Sequence, residues 1–312
     1  MTSSNLKNVA ASVRQRLLNR SKELQYDFNL VVTNYAIERL LTRLSLSGYA
    51  DQFVLKGAQL FNVWMGFPHR PTRDLDMLRI GSSEIPGIEG IFRDLIVSDL
   101  PYPDGIVFEP STVSGEIIRE DGVYHGIRLR ISFSLSGVRD NLQIDIGFGD
   151  AVSPVVSRLE IASMLDFPPV MMLAYPKEAV VAEKLEAMVV LGIRNSRMKD
   201  FYDIRELSKH FSFRGDHLSQ AIEATFNRRQ TPIPIDEPYA LTEGFVFDAA
   251  KRQQWGAFLR RLKIDTSLYP LEHVVADIRT FLLPAMESAR IGNDWSAVWD
   301  PETGWGMSTS GN

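Results

Sequence analysis

Apolar positions recur with helical spacing over the first 46 residues of the chain. Leu6, Val9, Val13, Leu17 and Leu24 predict a helix over 5–26, with Ser3 or Ser4 available as its N-cap. Ile37, Leu40, Leu41 and Leu44 predict a second over 30–46, ended by Ser47-Gly48. The period then shortens. Phe53-Val54-Leu55 is a brief apolar run that stops at Lys56-Gly57, and an apolar-periodic segment from Ala58 to Met65 ends at Gly66. That order predicts a strand, a tight turn and a short helix. After the turn signal Phe67-Pro68 an extended segment carries Asp74 and Asp76 and runs on to Ile80, and a helix is expected over 88–97. From there the pattern alternates: 105–109, 112–118, 124–136 and 142–148 read as strands separated by Gly, Pro, Asp or Asn. Strands so closely connected are antiparallel neighbours. One strand–helix–strand unit followed by a meander predicts an α/β (α+β) fold with a mixed sheet, flanked by the two opening helices.

Residues 153–175 are rich in Pro and Met and read as a connector, with a short strand or helix over 159–165. Beyond them the pattern is helical. Pro176 suits a first helical position, and PKEAVVAEKLEAMVVLG runs to a terminal Gly192. Further helices are expected from Arg194 to His210 and over 216–228, 248–262 and 270–289, with the Pro-rich break TPIPIDEP at 231–238. The tail after Gly292 holds Trp295, Trp299 and Trp305 with neither helical nor strand period, and is expected to pack those rings back on the domain. The expected organisation is an N-terminal domain over 1–152 and a helical C-terminal domain over 153–312, with an active cleft between them.

Length and composition narrow the function. A chain of 312 residues accommodates two domains, and a 45% hydrophobic, 23% charged composition is that of a soluble globular protein with a sizeable core. With 34 basic against 39 acidic residues the net charge is −5, so a polyanion has to be met by a local patch rather than by bulk attraction. The absence of cysteine excludes disulfides, thiolate zinc sites and cysteine nucleophiles, and is compatible with a reducing cytoplasm. The N-terminus lacks the apolar core of a signal peptide and no run is long enough to span a bilayer, so a cytoplasmic, non-membrane protein is expected.

The chemistry-bearing residues are carboxylates and lysines. Asp74 and Asp76, two apart on a strand, point the same way. Two acids side by side resist ionising unless a cation sits between them, which points to Mg²⁺ and hard oxygen ligands; alternatively they solvate an edge strand and are neutralised by Arg70 and Arg73. Following a Gly turn and a helix that could present a triphosphate, the pair suggests nucleotidyl transfer. Asp145 lies between Ile144 and Ile146 and shares a face with Gln143 and Gly147, as a third metal ligand or general base, or as a solvent-facing acid on an amphipathic strand. Lys184 falls inside the stripe of Val181, Leu185 and Met188, where it either snorkels to water or meets a phosphate or carboxylate. Asp200 and Asp203 share a helix face, Lys199 is spaced to pair with Asp203, and Arg194, Arg197 and Lys199 form the densest basic group of the chain. An acid-rich first helical turn accounts for the two acids equally well.

Taken together, FVLKGAQLF, RPTRDLDML, YPKEAVVAEKLEAM and NSRMKDFYDI, in that order over Phe53 to Leu207, resemble the AbiEii/AbiGii-type nucleotidyltransferase toxins, which include the MenT-like toxins, a branch of the polymerase-β-like nucleotidyltransferases. The resemblance implies a toxin–antitoxin or phage-defence setting with a cognate antitoxin, NTP and Mg²⁺ as reactants, and, as in characterised relatives, addition of nucleotides to a tRNA acceptor end. Carried over by motif, the Lys56-Gly57 turn holds the triphosphate, Asp74 and Asp76 bind metal, Lys184 contacts the nucleotide and Asp200 with Asp203 completes the far wall. Lys56, Lys184 and Arg197 or Lys199 neutralise phosphate charge. Arg70 and Thr72 fall in the family's loop before the acidic pair, and modification of Thr72 would place negative charge beside Asp74. The chain departs from the pattern in having Ala58 after Gly57, where many nucleotidyltransferases have Gly or Ser, so backbone N–H groups replace a hydroxyl contact to phosphate. Two other classes use the same residues: a catalytically silent NTP- or antitoxin-binding module, and a metal-dependent phosphodiesterase or nuclease.

Overall fold

A computed structural model describes residues 3–66, 70–120, 124–293 and 295–307. The chain divides into two compact units, one comprising residues 1–149 and 157–174 and the other residues 150–156 and 175–312. The turn signal Phe67-Pro68 lies outside the described residues.

The first unit opens with α1 (Ser3–Leu24) and α2 (Phe28–Ser45). Asp27 caps α2 by accepting the Leu30 N–H at 3.0 Å. Then follow β1 (Phe53–Lys56), α3 (Gln59–Met65), β2 (Asp74–Arg79), α4 (Ile85–Val97), β3 (Val107–Phe108), β4 (Ser114–Glu120), β5 (Tyr124–Leu135), β6 (Val138–Phe148), β7 (Ser157–Ile161) and β8 (Val170–Ala174). Gly66 ends α3 in the left-handed conformation, as its lack of a Cβ permits. The sheet runs β3-β5-β6-β2-β1-β8-β7, and β4 also pairs with β5. It is mixed: β2 runs parallel to β6 and β1 parallel to β8, whereas the other pairs are antiparallel.

Alternation along the strands gives the sheet two unlike faces. Leu75 and Met77 of β2, Leu142, Ile144 and Ile146 of β6, and Ile127, Leu129 and Ile131 of β5 are all buried. Helices α1, α2 and α4 pack on the sheet, and Gly115 of β4 admits α4 so closely that a Cβ there would lie 2.8 Å from Ile85 Cγ2. The opposite face carries Asp74, Asp76, Gln143, Asp145, Arg128 and Arg130.

The segment 153–175 is not a plain connector. It supplies the hairpin β7–β8, which extends the sheet beyond β1, and the loop between the two strands is anchored on α2: the Glu38 carboxylate accepts from Ser163 Oγ at 2.5 Å and from the Met164 N–H at 2.7 Å. Five-residue strands in a Pro- and Met-rich stretch leave too little alternation to identify from spacing alone.

The second unit comprises α5 (Lys177–Leu191), α6 (Met198–His210), β9 (Phe213–Arg214), α7 (Gly215–Arg228), α8 (Glu243–Val246), α9 (Ala249–Arg261), α10 (Leu271–Ile291), β10 (Ala297–Asp300) and β11 (Gly304–Met307). Its core is aromatic, with Phe201 stacked on Phe245 at 5.2 Å between centroids. The tryptophan tail, expected to lack strand order, forms a β10–β11 hairpin paired to β9. Its rings pack back as expected. Trp299 donates from Nε1 to the Ser208 carbonyl at 2.7 Å, Trp305 donates to the Phe281 carbonyl at 2.9 Å, and Trp305 stacks on Phe281. The turn is closed by the Asp300 carboxylate, which accepts from the N–H groups of Glu302 and Thr303.

Candidate active site

Register places the first set of predicted residues in one row across the sheet. Lys56 of β1 lies opposite Asp76 of β2, Asp76 beside Asp145 of β6, Asp145 opposite Arg128 of β5, and Arg128 opposite Glu116 of β4. Directly paired residues of neighbouring strands share a face. The row therefore reads lysine, carboxylate, carboxylate, guanidinium, carboxylate, and Asp74 sits one rung away beside Gln143. Asp74 is exposed, Asp76 half-buried and Lys56 buried.

The turn at the end of β1 is built against this row. Gly57 has φ +74°, and a Cβ placed on it would lie 2.7 Å from the Asp76 Cγ. Only a residue without a side chain lets the backbone approach a carboxylate so closely. The Asp76 carboxylate thus lies where the Gly57 backbone begins α3. Arg70 and Thr72 lie on the segment entering β2, and the Thr72 hydroxyl donates to the Asp74 carbonyl at 3.4 Å. Arg73, one of the two arginines considered as neutralising the acidic pair, instead lies 3.5 Å from Asp27.

Asp145 is engaged on both oxygens. Arg128 donates from Nε to Oδ1 and from Nη2 to Oδ2, each at 2.8 Å, and Gln143 adds a longer bond of 3.4 Å. This fork-to-fork contact raises the Arg128 pKa, chiefly through the Asp145 hydrogen bonds, with Asp74 and Glu116 adding to the effect. Among the described residues no three His, Cys, Asp or Glu side chains converge as a ready-made metal shell. Arg128 is the residue that the spacing argument missed. The two-residue turn Ser136-Gly137, with φ of +43° and +88°, pairs Leu135 with Val138 and so fixes Arg128 opposite Asp145. Counting back from that turn would have found it.

The second set lies in the second unit. Lys184 of α5 places its Nζ 2.5 Å from Asp200 Oδ1 and 2.8 Å from Asp203 Oδ2 of α6, and both carboxylates are buried. The lysine in the apolar stripe therefore meets carboxylates rather than water, and Asp203 pairs with Lys184 rather than with Lys199, which is exposed. Asp200 stands in the first turn of α6, where the helix dipole favours an acid, and it is buried against the Lys184 ammonium as well. Arg197 precedes α6, its N–H donating to Asn195 Oδ1 at 2.8 Å.

A further buried polar group in the same unit escaped the sequence. Arg229 donates to Glu186 at 2.7 Å with Glu183 beyond, Thr231 donates to the other Glu186 oxygen at 2.6 Å, and the Tyr175 hydroxyl donates to Asp150 at 2.6 Å. Burial alone would lower the Arg229 pKa, but Glu183 and Glu186 carry it above its ordinary value. Burial, Glu183 and Asp150 all push the Tyr175 hydroxyl up, which keeps it a donor.

A mixed sheet with helices on its apolar face, and a glycine turn set against paired acids on the other, has the layout expected of a nucleotidyltransferase. The model of the nucleotidyl transferase AbiEii toxin family, of type IV toxin–antitoxin systems, matches residues 39–282, well over half of the chain, and the protein belongs to that family. Membership implies a cognate antitoxin. Among solved structures the chain is similar to JHP933 from Helicobacter pylori, with 13% identity, 85% of this chain and 94% of that one covered, and a TM-score of 0.47. It is similar also to an H. pylori protein described as a "putative nucleotidyltransferase", with 13% identity, 85% and 96% covered, and a TM-score of 0.46. No curated protein sequence matches the chain at a significant level. Among the described residues no helix is long and apolar enough to cross a membrane.

Proposed function

We propose that the protein transfers a nucleoside monophosphate from an NTP to an acceptor hydroxyl, the acceptor being the 3′ end of a tRNA, with Mg²⁺ held by Asp74 and Asp76. The observation that carries this reading is the pair of carboxylates on one face of β2, with the Gly57 backbone set against Asp76. The donor set is all oxygen and suits a hard cation, and the absence of a side chain on Gly57 lets the Asp76 carboxylate lie against the turn that begins α3. When bound, the ion supplies Lewis-acid stabilisation of the transferred phosphoryl group.

The chain's own residues do the rest. Backbone N–H groups after Gly57, at the start of α3, meet phosphate oxygens, and Lys56, opposite Asp76, offsets their charge. The acceptor oxygen forms a bond to the α-phosphorus, the bond from the α-phosphorus to the bridging oxygen breaks, pyrophosphate leaves and the hydroxyl proton is lost to solvent or a carboxylate. In the same reading a negative charge placed on Thr72, next to Asp74, opposes turnover.

Purified protein incubated with bulk tRNA, Mg²⁺ and each α-labelled NTP in turn, beside Asp74→Ala, tests this. Label in RNA from one NTP, abolished by the substitution, is the expected result. Shortened RNA would instead indicate a nuclease. Nucleotide binding without label or pyrophosphate release, by a correctly folded protein, would overturn transfer.

A further inference from the structure

The Asp145 carboxylate stands in the same row as Asp76, yet both of its oxygens face Arg128. A third carboxylate beside the pair would add oxygen ligands for a cation at this face, and here it is covered by a guanidinium. A guanidinium on both oxygens leaves the carboxylate its outer lone pairs, but it also sets a positive charge where a second cation would approach. Arg128 and a metal ion thus compete for Asp145.

The guanidinium is placed to be drawn off. The Arg128 side chain keeps 29% of its exposure against 13% for Asp145. Its Nη1 amino group makes no hydrogen bond among the described residues, whereas Nε and Nη2 are both committed to Asp145. It lies on the sheet face that carries Asp74 and Asp76, and phosphate oxygens match its fork as well as a carboxylate does. Resting on the reading of Asp74 and Asp76 as metal ligands, we propose that Arg128 is a positioning residue that withholds Asp145 from the metal until a phosphate takes its guanidinium. Nucleotide arrival and completion of the metal site are then one event. Without a phosphate the protein holds its ion weakly.

Mn²⁺ titration followed by electron paramagnetic resonance of the free ion, on the full chain, reads this without turnover. Arg128→Gln is expected to bind Mn²⁺ roughly tenfold tighter than the wild type, since a cation is removed beside the site. The double variant R128Q/D145N returns to the wild-type value. Arg128→Lys keeps the charge without the fork and falls between, and thermal melts show that each variant is folded. Sulfate, standing for phosphate and added at constant ionic strength, tightens Mn²⁺ binding to the wild type, with R128Q in the same sulfate as the background.

Unchanged or weaker binding by R128Q, while Asp74→Asn abolishes wild-type binding, would overturn the proposal and leave the metal reading standing. Tightening that persists in R128Q/D145N would overturn it too, because net charge alone would then explain the gain. An equal sulfate effect in wild type and R128Q would refute the part given to phosphate. No Mn²⁺ bound by any variant would sink both readings.

Discussion

Replacing Lys184 by methionine separates a structural lysine from a purely substrate-binding one. In the folded chain its ammonium lies between Asp200 and Asp203, and the three side chains retain 14%, 4% and 0% of their exposure. Methionine keeps the length of the stem, so packing in the Val181–Met188 stripe survives and the change is one of charge. What remains is two buried carboxylates on one helix face with their shared cation gone. Breaking a buried pair by removing one partner costs about 3–5 kcal/mol. At roughly 2–4 °C per kcal/mol for a protein of this size, the melting temperature falls by roughly 10–15 °C. Four of the five tryptophans, Trp255, Trp295, Trp299 and Trp305, belong to the second unit, so tryptophan emission in a urea titration reports mainly its unfolding. Adding Asp200→Asn and Asp203→Asn to K184M should restore much of the loss. A K184M protein as stable as wild type, with activity alone reduced, would refute the structural reading and leave Lys184 to the nucleotide.

Gly57→Ala combines a left-handed backbone position with a collision against Asp76. It is expected to cost about 1–3 kcal/mol in urea unfolding and to abolish Mn²⁺ binding, because relief of the collision requires the Asp76 carboxylate to move. Asp300 answers to pH: the N–H groups of Thr303 and Glu302 hold its pKa below the ordinary carboxylate value. A depressed carboxylate contributes stability that is fully present above its unfolded pKa of about 3.9 and is lost as pH falls through the lower folded value. Trp305 emission should therefore stay constant from pH 8 to pH 5 and shift below about pH 4, an acid step that Asp300→Asn removes; a step in the wild type near neutrality would contradict this.

Much of the first unit was legible because its elements are long enough to show their period. Helices α1, α2 and α4 and strands β5 and β6 each run through several repeats, and Gly57 and Gly66 punctuate them where the chain turns. The acidic pair was legible for the same reason, since face-sharing at two residues apart is local. Partners brought together across distance were not. Lys184 was recognised as anomalous in an apolar stripe, but nothing along the chain says which anion it meets, and two carboxylates on the following helix were as compatible as a phosphate. The β10–β11 hairpin was missed, and β7–β8 showed only as a short strand or helix over 159–165, because strands of four or five residues show hardly two alternations, and aromatic rings at loop-like spacing hid the first of these.

The parallel pairing of β2 with β6 has a consequence for how the protein comes into being. Asp76 and Asp145 share a rung although 145 − 76 = 69 positions separate them, because parallel neighbours cannot be joined by a tight turn and the chain here makes α4, β3, β4 and β5 in between. Such a contact forms late, after the local hairpins that bring β6 back to the middle of the sheet. During synthesis the row of charges does not exist until β6 has emerged, and β1 has no neighbour on its far side until residues 170–174 follow. A nascent chain shorter than about half its length holds Asp74 and Asp76 without the strand that sets them in order, so in this member of a toxin family the row of acids cannot form until roughly half the chain has been made.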